Sequence, residues 1–222
     1  LSIQGDSIKQ NQPFCNERFV MAFNGEILNF NFAKSLIKKN YKFFDDDKSD
    51  TPILFAGLIE KGIDFLKNID GFYTVFFYDK KLRKGFIARD PSGQKQLYYR
   101  FNKNEIEFAS EIKALDISGD LDPLAVNTYK IIGYVPSPNT IYKDIKALRC
   151  GEVINFSLSI NNLFVEFNSE RLFQLDSSEN KFKASELKSV LSEKIKRNVV
   201  TNKKVAILLS GGVDSSIVLN EA

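Results

Sequence analysis

Antiparallel hairpins are the main pattern in the first half of the chain. The run FYTVFFYD at 72–79 is rich in aromatic and β-branched residues, and a polar KKLRK stretch separates it from GFIARD. QLYYRFN and EIEFAS form a second pair of such runs. Both pairs predict hairpins, because strand-like runs that are joined by a few polar residues tend to pair antiparallel.

Two other segments of this region carry apolar residues at helical spacing. In NFAKSLIKKN, the apolar side chains fall on one face of a helix. Ser49 or Asp50 can cap a second helix over PILFAGLIEK, and Gly62 can end it. Helices mixed with antiparallel hairpins predict an α+β domain.

The pattern changes near residues 175–182. The polar stretch NSERLFQLDSSENK comes before a helical pattern in ASELKSVLSEKIKRNVV. KVAILLS then reads as a continuous apolar strand of the kind that is buried in a parallel sheet. We therefore predict a first domain at 1–165, a linker at 166–181 and the beginning of an α/β domain at 182–222.

Composition narrows the class of protein. The 31 basic and 28 acidic residues leave a net charge of +3, so nothing favours a nucleic-acid or membrane surface. Two cysteines, Cys15 and Cys150, are too few for a disulfide framework and favour a reducing cytoplasm. The chain has no histidine, which excludes Ser-His-Asp, Cys-His and His-zinc chemistry within it. The polar first residues, LSIQGDSIKQ, do not form a signal peptide.

The last candidate strand runs into a loop with the composition of an anion site. In Ser210–Ser216, the glycines let the backbone approach a ligand, and successive N–H groups at a helix start can bind phosphate. The Walker A pattern is absent, and the Asp214 carboxylate suggests a metal between protein and phosphate. The alternative is a tight turn that only caps a helix. This seven-residue loop resembles the pyrophosphate loop S-G-G-x-D-S-[ST] of the ATP-pyrophosphatases.

The preceding segments narrow that resemblance. NGEILNF, SDTPIL, DGFYTVFFYD, ARDPSGQKQLYY, FASEIKAL, GYVPSP and LLSGGVDSS occur in the order found in glutamine-hydrolysing asparagine synthetases, and LSI and NQP fit as well. The chain resembles this family over nearly its whole length. The resemblance implies an N-terminal-nucleophile glutaminase, an αββα sandwich with antiparallel sheets, followed by the first helix, strand and loop of an α/β ATP-pyrophosphatase domain.

The family's glutaminase residues carry over where the motifs match. The resemblance implies that the Asn24 side chain and the Gly25 N–H form the oxyanion hole, although an isolated Asn-Gly pair is more typical of a hairpin turn. It implies that Glu26 contacts glutamine and that Asp50 pairs with its α-ammonium group, although Asp50 can also simply cap a helix. The residues implied to line the glutamine pocket are Leu1, Ser2, Ile3, Asn24, Gly25, Glu26 and Asp50.

The resemblance also implies an ATP reaction. Ammonia from glutamine would reach an aspartate that ATP has activated as β-aspartyl-AMP, giving asparagine, AMP and pyrophosphate. ATP and Mg²⁺ would be used without being tightly bound, in a cytoplasmic enzyme that forms a homodimer. The residues implied to bind ATP pyrophosphate are Leu209, Ser210, Gly211, Gly212, Asp214, Ser215 and Ser216, and Asp214 is the candidate ligand for magnesium.

Two differences from the family pattern affect the expected activity. The family nucleophile is a cysteine at the mature N-terminus, and neither Cys15 nor Cys150 stands there. The first residue is leucine rather than methionine, and almost all of the synthetase domain is missing from the sequence. We therefore expect an internal fragment that is inactive by itself. Arg89 and Asp90 are expected to be a structural ion pair.

Three classes of parent protein stay open at this stage. One is asparagine synthetase. The second is a relative that acts on another carboxylate, either a bacterial surface-polysaccharide sugar acid or a β-lactam synthetase substrate. The third is a relative that binds glutamine or ATP without turnover. The retained Asn24, Gly25, Glu26 and Asp50 favour a working glutaminase over the β-lactam case.

Overall fold

The computed structural model describes residues 12–39, 41, 49–101, 105–117, 119–158, 165–172, 183–199 and 204–222. Within these ranges the strands are β1 (Phe14–Cys15), β2 (Phe19–Ile27), β3 (Gly71–Asp79), β4 (Lys84–Arg89), β5 (Tyr98–Phe101), β6 (Ile106–Ala109), β7 (Lys146–Ala147), β8 (Glu152–Leu158) and β9 (Val165–Arg171). The α-helices are α1 (Phe30–Ser35), α2 (Asp50–Lys61), α3 (Pro123–Ile132), α4 (Ala184–Asn198) and α5 (Val213–Glu221).

The strands form two antiparallel sheets. The larger sheet has the order β1-β2-β3-β4-β8-β9, and the smaller has the order β6-β5-β7. Both predicted hairpins are present, as the β3–β4 and β5–β6 pairs. The predicted α+β class with antiparallel sheets is confirmed.

The two faces of the larger sheet bury different partners. Met21, Phe23 and Ile27 of β2 pack with α1 and α2 in the main apolar core. On the opposite face, Phe76 of β3 stacks on Phe108 of the smaller sheet, with ring centroids 4.6 Å apart. Because successive side chains on a strand point to opposite faces, Asn24 of β2 lies on the side of the smaller sheet.

Helix α2 is buried from Asp50 to Leu58. Gly57 lets it approach the following 3₁₀ helix, since a Cβ at this position would lie 2.2 Å from a ring carbon of Phe65. Gly62 ends the helix at a φ of +58°, as predicted. Ser49 occupies the N-cap position, but its side chain makes no capping hydrogen bond, and Asp50 lies inside the first turn of the helix.

The turn interpretation of Asn24-Gly25 is also wrong. Strand β2 continues through both residues to Ile27, and Asn24 lies opposite Thr74 of β3. Long-range pairing with β3 therefore overrides the local preference of the Asn-Gly pair for a turn.

The later part of the chain agrees with only some of the predicted elements. Helices α4 and α5 form, but residues 204–210 form no strand, and Leu208 is 96% exposed. A parallel strand needs neighbouring strands on which to form its ladder, and none of the described strands pairs with this segment. The predicted linker at 166–181 differs too, because residues 165–171 form β9 at the edge of the larger sheet. No helix within the described ranges has the length and apolar composition that a bilayer span requires.

Candidate active site

The backbone N–H groups of Phe23, Gly25 and Ile27 lie along one edge of β2 and differ in their hydrogen bonding. The Phe23 N–H donates to Oε1 of Gln12. The Ile27 N–H donates to Oδ2 of Asp50 at 3.2 Å. Side chains from two other segments therefore occupy the edge on both sides of Gly25.

Backbone alternation places the Gly25 N–H on this same edge. Tyr73 lies opposite Gly25, and its own N–H and C=O both bond to Asp90, at 3.2 and 2.8 Å, on the side of β4. Gly25 and Tyr73 are thus a pair without mutual hydrogen bonds, so the Gly25 N–H points away from β3. It lies between two occupied donors and has no partner among the described residues.

Gly25 is also required by close packing. A Cβ at this position would lie 2.1 Å from the Phe72 carbonyl oxygen and 2.6 Å from the Tyr73 Cα. Both atoms belong to the backbone of β3, which cannot move aside as a flexible side chain could. The absence of a side chain therefore allows β2 and β3 to pair where the open N–H is presented.

An acidic pair lies beside this donor. Asp50 is only 6% exposed, and burial raises the pKa of its carboxyl to about 6, with a further upward contribution from Glu26. Burial also raises the pKa of Glu26, while the charge of Lys95 opposes that shift. Oε1 of Glu26 is buried and has no hydrogen-bond partner in the described part of the chain. Two desolvated carboxyl groups favour a cationic ligand group at this point.

The structure brings together the predicted residues Asn24, Gly25, Glu26 and Asp50. Leu1, Ser2 and Ile3 lie outside the described residues, so their predicted contact with glutamine stays a prediction. Three participants were missed by the sequence analysis: Gln12, Lys95 and Ser110. All three lie in segments that carry the resemblance, Gln12 in NQP, Lys95 in ARDPSGQKQLYY and Ser110 in FASEIKAL, but the motifs did not single them out.

Arg89 and Asp90 hold the loop that carries Lys95. The Arg89 guanidinium donates to the carbonyls of Lys95, Leu148 and Gly93, each at 2.6 Å. Asp90 accepts from the Lys95 N–H at 3.1 Å. The structural role expected for these residues is confirmed, but the ion pair is wrong, since each bonds to backbone.

The hydrogen bonds of Arg89 and Asp90 hold Lys95 near the acidic pair. Its Nζ lies 5.4 Å from the ring centroid of Phe72, and Phe72 lies opposite Glu26 on the neighbouring strand. Paired residues on adjacent strands share a face of the sheet. The Lys95 ammonium therefore lies on the same side of the sheet as the Glu26 carboxylate.

The predicted phosphate loop lies apart from this site, at the start of α5. Gly211 has a φ of +82° with open space where a Cβ would stand. The hydroxyls of Ser215 and Ser216 donate to the Gly212 carbonyl at 3.1 and 2.8 Å. Leu209, Ser210 and Asp214 are exposed. A groove of about 650 Å³ between α4 and α5 runs beside the loop.

The geometry of this loop fits a phosphate group. The first N–H groups of α5 have no partners within the helix, and the bare glycine backbone leaves room for close approach. No cluster of three or more metal-binding side chains occurs in the described ranges.

The family of the chain follows from a match over most of its length. Residues 1–164 match the model of the glutamine amidotransferase domain, and residues 186–221 match that of asparagine synthase. The chain belongs to the glutamine amidotransferase domain family.

Its curated relatives are longer proteins. A putative asparagine synthetase [glutamine-hydrolyzing] 2 from Methanocaldococcus jannaschii is 27% identical over 206 residues, which cover 90% of this chain and 39% of the relative. Asparagine synthetase [glutamine-hydrolyzing] 3 from Bacillus subtilis is 27% identical over 224 residues, which cover 98% of this chain and 36% of the relative. The chain thus spans about two fifths or less of the length of these relatives.

Two solved structures are also similar. A glutamine phosphoribosylpyrophosphate amidotransferase from B. subtilis, complexed with ADP and GMP, has a TM-score of 0.43 and 18% identity, and the match covers 72% of this chain and 30% of that chain. The allosteric regulatory enzyme of purine biosynthesis has a TM-score of 0.48 and 16% identity, with coverage of 98% and 46%.

Proposed function

We propose that the protein containing this chain is a glutamine-hydrolysing asparagine synthetase of the cytoplasm. Its glutaminase domain releases ammonia, which reacts with an aspartate that ATP has activated as β-aspartyl-AMP. The family match over 1–164, the asparagine synthase match over 186–221 and the names of the relatives support this proposal. The observation that carries the glutaminase half is the Gly25 N–H, which has no partner among the described residues and lies beside a buried acidic pair.

That arrangement suits both the side-chain amide and the α-ammonium group of glutamine. The Asn24 amide and the Gly25 N–H can donate to the oxygen that becomes negative when the side-chain amide of glutamine is attacked, and donors of this kind contribute about 3–4 kcal/mol each. Asp50 and Glu26 can hold the α-ammonium group, which supplies the positive charge that the two carboxyl groups favour.

The loop at Ser210–Ser216 supplies the proposed ATP site. Its backbone N–H groups and hydroxyls would hold pyrophosphate, and Asp214 would contact the accompanying magnesium ion. Bound Mg-ATP supplies the adenylyl group that activates the carboxylate. The bonds from Ser215 and Ser216 to the Gly212 carbonyl keep the glycine backbone turned toward the start of α5.

Glutamate release by the complete gene product, which would include the nucleophile, tests the glutaminase half. We expect glutamate from glutamine and, with Mg-ATP and aspartate, asparagine, AMP and pyrophosphate. Asp50→Asn should raise KM for glutamine by about tenfold or more, because a charge-assisted contact is lost. KM of the unsubstituted protein should rise below about pH 6, as Asp50 becomes neutral.

The same assay separates the alternatives. Exposed Asp120→Asn is the matched control and should leave KM unchanged, since Asp120 pairs with Lys143, another surface residue. No glutamate release by the complete protein, with or without ATP, would contradict the proposal. Glutamate release without asparagine would keep the glutaminase and reject aspartate as the acceptor.

A further inference from the structure

Gln12 takes the place of a strand at the edge of β2. Strand β1 pairs with β2 up to Phe14, which lies opposite Met21. The same register would set Gln12 opposite Phe23, but β1 begins at Phe14, so no strand backbone pairs with β2 at that point. The Gln12 side chain makes both bonds instead. Its Oε1 accepts from the Phe23 N–H, and its Nε2 donates to the Phe23 carbonyl at 2.5 Å.

Ser110 holds the next residue of β2 from the other sheet. It directly follows β6, and its Oγ accepts a hydrogen bond of 3.1 Å from Nδ2 of Asn24. Both residues line a cavity of about 230 Å³ between the two sheets, together with Ala22, Thr74 and Phe108. A carboxamide nitrogen has two hydrogens, so the second N–H of Asn24 stays available for a ligand in this space.

We propose that Ser110 and Gln12 are positioning residues for the oxyanion pair Asn24 and Gly25. Ser110 sets which end of the Asn24 carboxamide faces the substrate, and Gln12 fixes the backbone of β2 immediately before that pair. This inference rests on the proposed glutaminase function.

The orientation of an amide decides its effect on a negative charge. If the carboxamide of Asn24 turned over, Oδ1 would face the developing oxyanion and repel it, instead of stabilising it through Nδ2. Asn24 is exposed, so packing alone does not fix this torsion. Catalytic groups must be held within about 0.5 Å of their productive geometry. The hydroxyl of Ser110 restrains the Asn24 carboxamide, and the two bonds of Gln12 hold the β2 backbone at the preceding residue.

The test measures glutaminase kinetics of the complete protein. Ser110→Ala should lower kcat by about tenfold with KM for glutamine within about twofold, because the oxyanion forms only in the transition state. Ser110→Thr keeps the hydroxyl and should restore most of kcat. Ser35→Ala removes an exposed hydroxyl that donates to the Phe32 carbonyl on helix α1, and it should leave both parameters unchanged.

A double-mutant cycle separates positioning from a loss of structure. In an Asn24→Ala background, Ser110→Ala should cost no further kcat, since its effect passes through Asn24. Gln12→Ala should also lower kcat, and part of that loss should persist in the Asn24→Ala background, because the Gly25 N–H still depends on β2.

Three results would overturn the inference. They are an unchanged kcat for Ser110→Ala, an unchanged kcat for Gln12→Ala, and a loss for Ser110→Ala that is equally large without Asn24. Absence of activity in the unsubstituted complete protein would instead reject the proposed glutaminase function.

Discussion

Asp50 places a poorly solvated carboxyl group at the start of α2. Its folded-state pKa, about 6, lies above its ordinary value because burial disfavours the charged form. The stability that this group contributes is therefore fully present below about pH 4 and is lost as the pH rises through 6. At neutral pH the folded chain pays for a charge that a bound ammonium group would neutralise.

Asp50→Asn should therefore stabilise this chain at neutral pH. The amide removes the buried charge and its oxygen can still accept from the Ile27 N–H, so we expect the free energy of unfolding at pH 7.5 to rise by about 1–3 kcal/mol. Urea denaturation at pH 7.5 and pH 4 measures this difference, which should nearly vanish at pH 4. A gain of equal size at both pH values would contradict the assigned cause.

Gly25→Ala should have the opposite effect on stability. The added methyl group meets backbone atoms of Phe72 and Tyr73, so β2 and β3 must separate locally. We expect a loss of about 1–3 kcal/mol in the free energy of unfolding, measured by urea denaturation. Gly62→Ala is a useful comparison, because Gly62 has open space around it and its cost comes only from a positive φ. Equal effects of the two changes would show that packing on β3 is unimportant.

At the residue scale, the sequence predicted the candidate site residues better than it predicted the side chains that hold them in place. Asn24, Gly25, Glu26 and Asp50 were found through the motif resemblance, and the structure brings them together. The Ser110 contact with Asn24 spans 86 positions along the chain and leaves no local pattern. The effect of Lys95 on the pKa of Glu26 depends on a loop conformation. Arg89 sets that conformation through its hydrogen bonds to the loop carbonyls.

The loop from Asp90 to Lys95 is built around buried charges that bond to backbone. The Arg89 side chain ties this loop to the segment before β8, through the Leu148 carbonyl. Since buried carbonyls need donors, the guanidinium substitutes for a regular ladder where the chain leaves β4. The element that carries Lys95 toward the acidic pair is therefore fixed from within the fold.

Arg89→Met should loosen this element while keeping a side chain of similar length. Three carbonyls lose a charged donor, so we expect the free energy of unfolding to fall by about 3 kcal/mol or more. Arg171→Met, at the exposed end of β9, is the matched control and should change it by less than about 0.5 kcal/mol. Urea denaturation measures both. A similarly small loss for Arg89→Met would mean that these bonds are replaced by water.

Predicted elements succeeded where their partners are close in sequence. Strands β3 and β4 form a hairpin, and α2 buries a continuous apolar face, so local pattern and tertiary packing agree. KVAILLS was predicted from apolar content alone, and a strand of this kind depends on neighbours that the pattern does not identify. The stretch after Val165 was predicted to be a linker from its polarity, and polarity does not exclude a strand at the edge of a sheet.

At the scale of the whole molecule, one carboxylate connects α4 with the first domain. Asp70 accepts from Lys194 at 2.5 Å and from Arg197 at 3.2 Å. Its carbonyl also accepts from the Leu28 N–H at 2.8 Å, directly after β2. The helix that opens the asparagine synthase match is thus bonded next to the strand that carries the candidate active site.

Asp70→Asn should weaken this connection without disturbing the backbone bond. Partly exposed ion pairs contribute little, so we expect a loss of about 0.5–1 kcal/mol in the free energy of unfolding at low salt. The difference in free energy of unfolding from the unsubstituted chain should shrink in 1 M NaCl. At that concentration the Debye length is about 3 Å, so the attraction between exposed charges is screened. Urea denaturation at both salt concentrations measures it. A loss that salt does not change would indicate a role other than charge.

The open edge of β2 has a consequence for association between molecules. An exposed strand edge is a template on which another chain can add a strand and so begin to aggregate. Here Gln12 and Asp50 occupy the N–H groups on either side of Gly25, so among the described residues of this edge an incoming strand would find no two successive donors free. A continuous ladder therefore cannot form there. Gln12 and Asp50, which flank the proposed glutamine site, therefore also prevent another polypeptide from adding a strand to this edge.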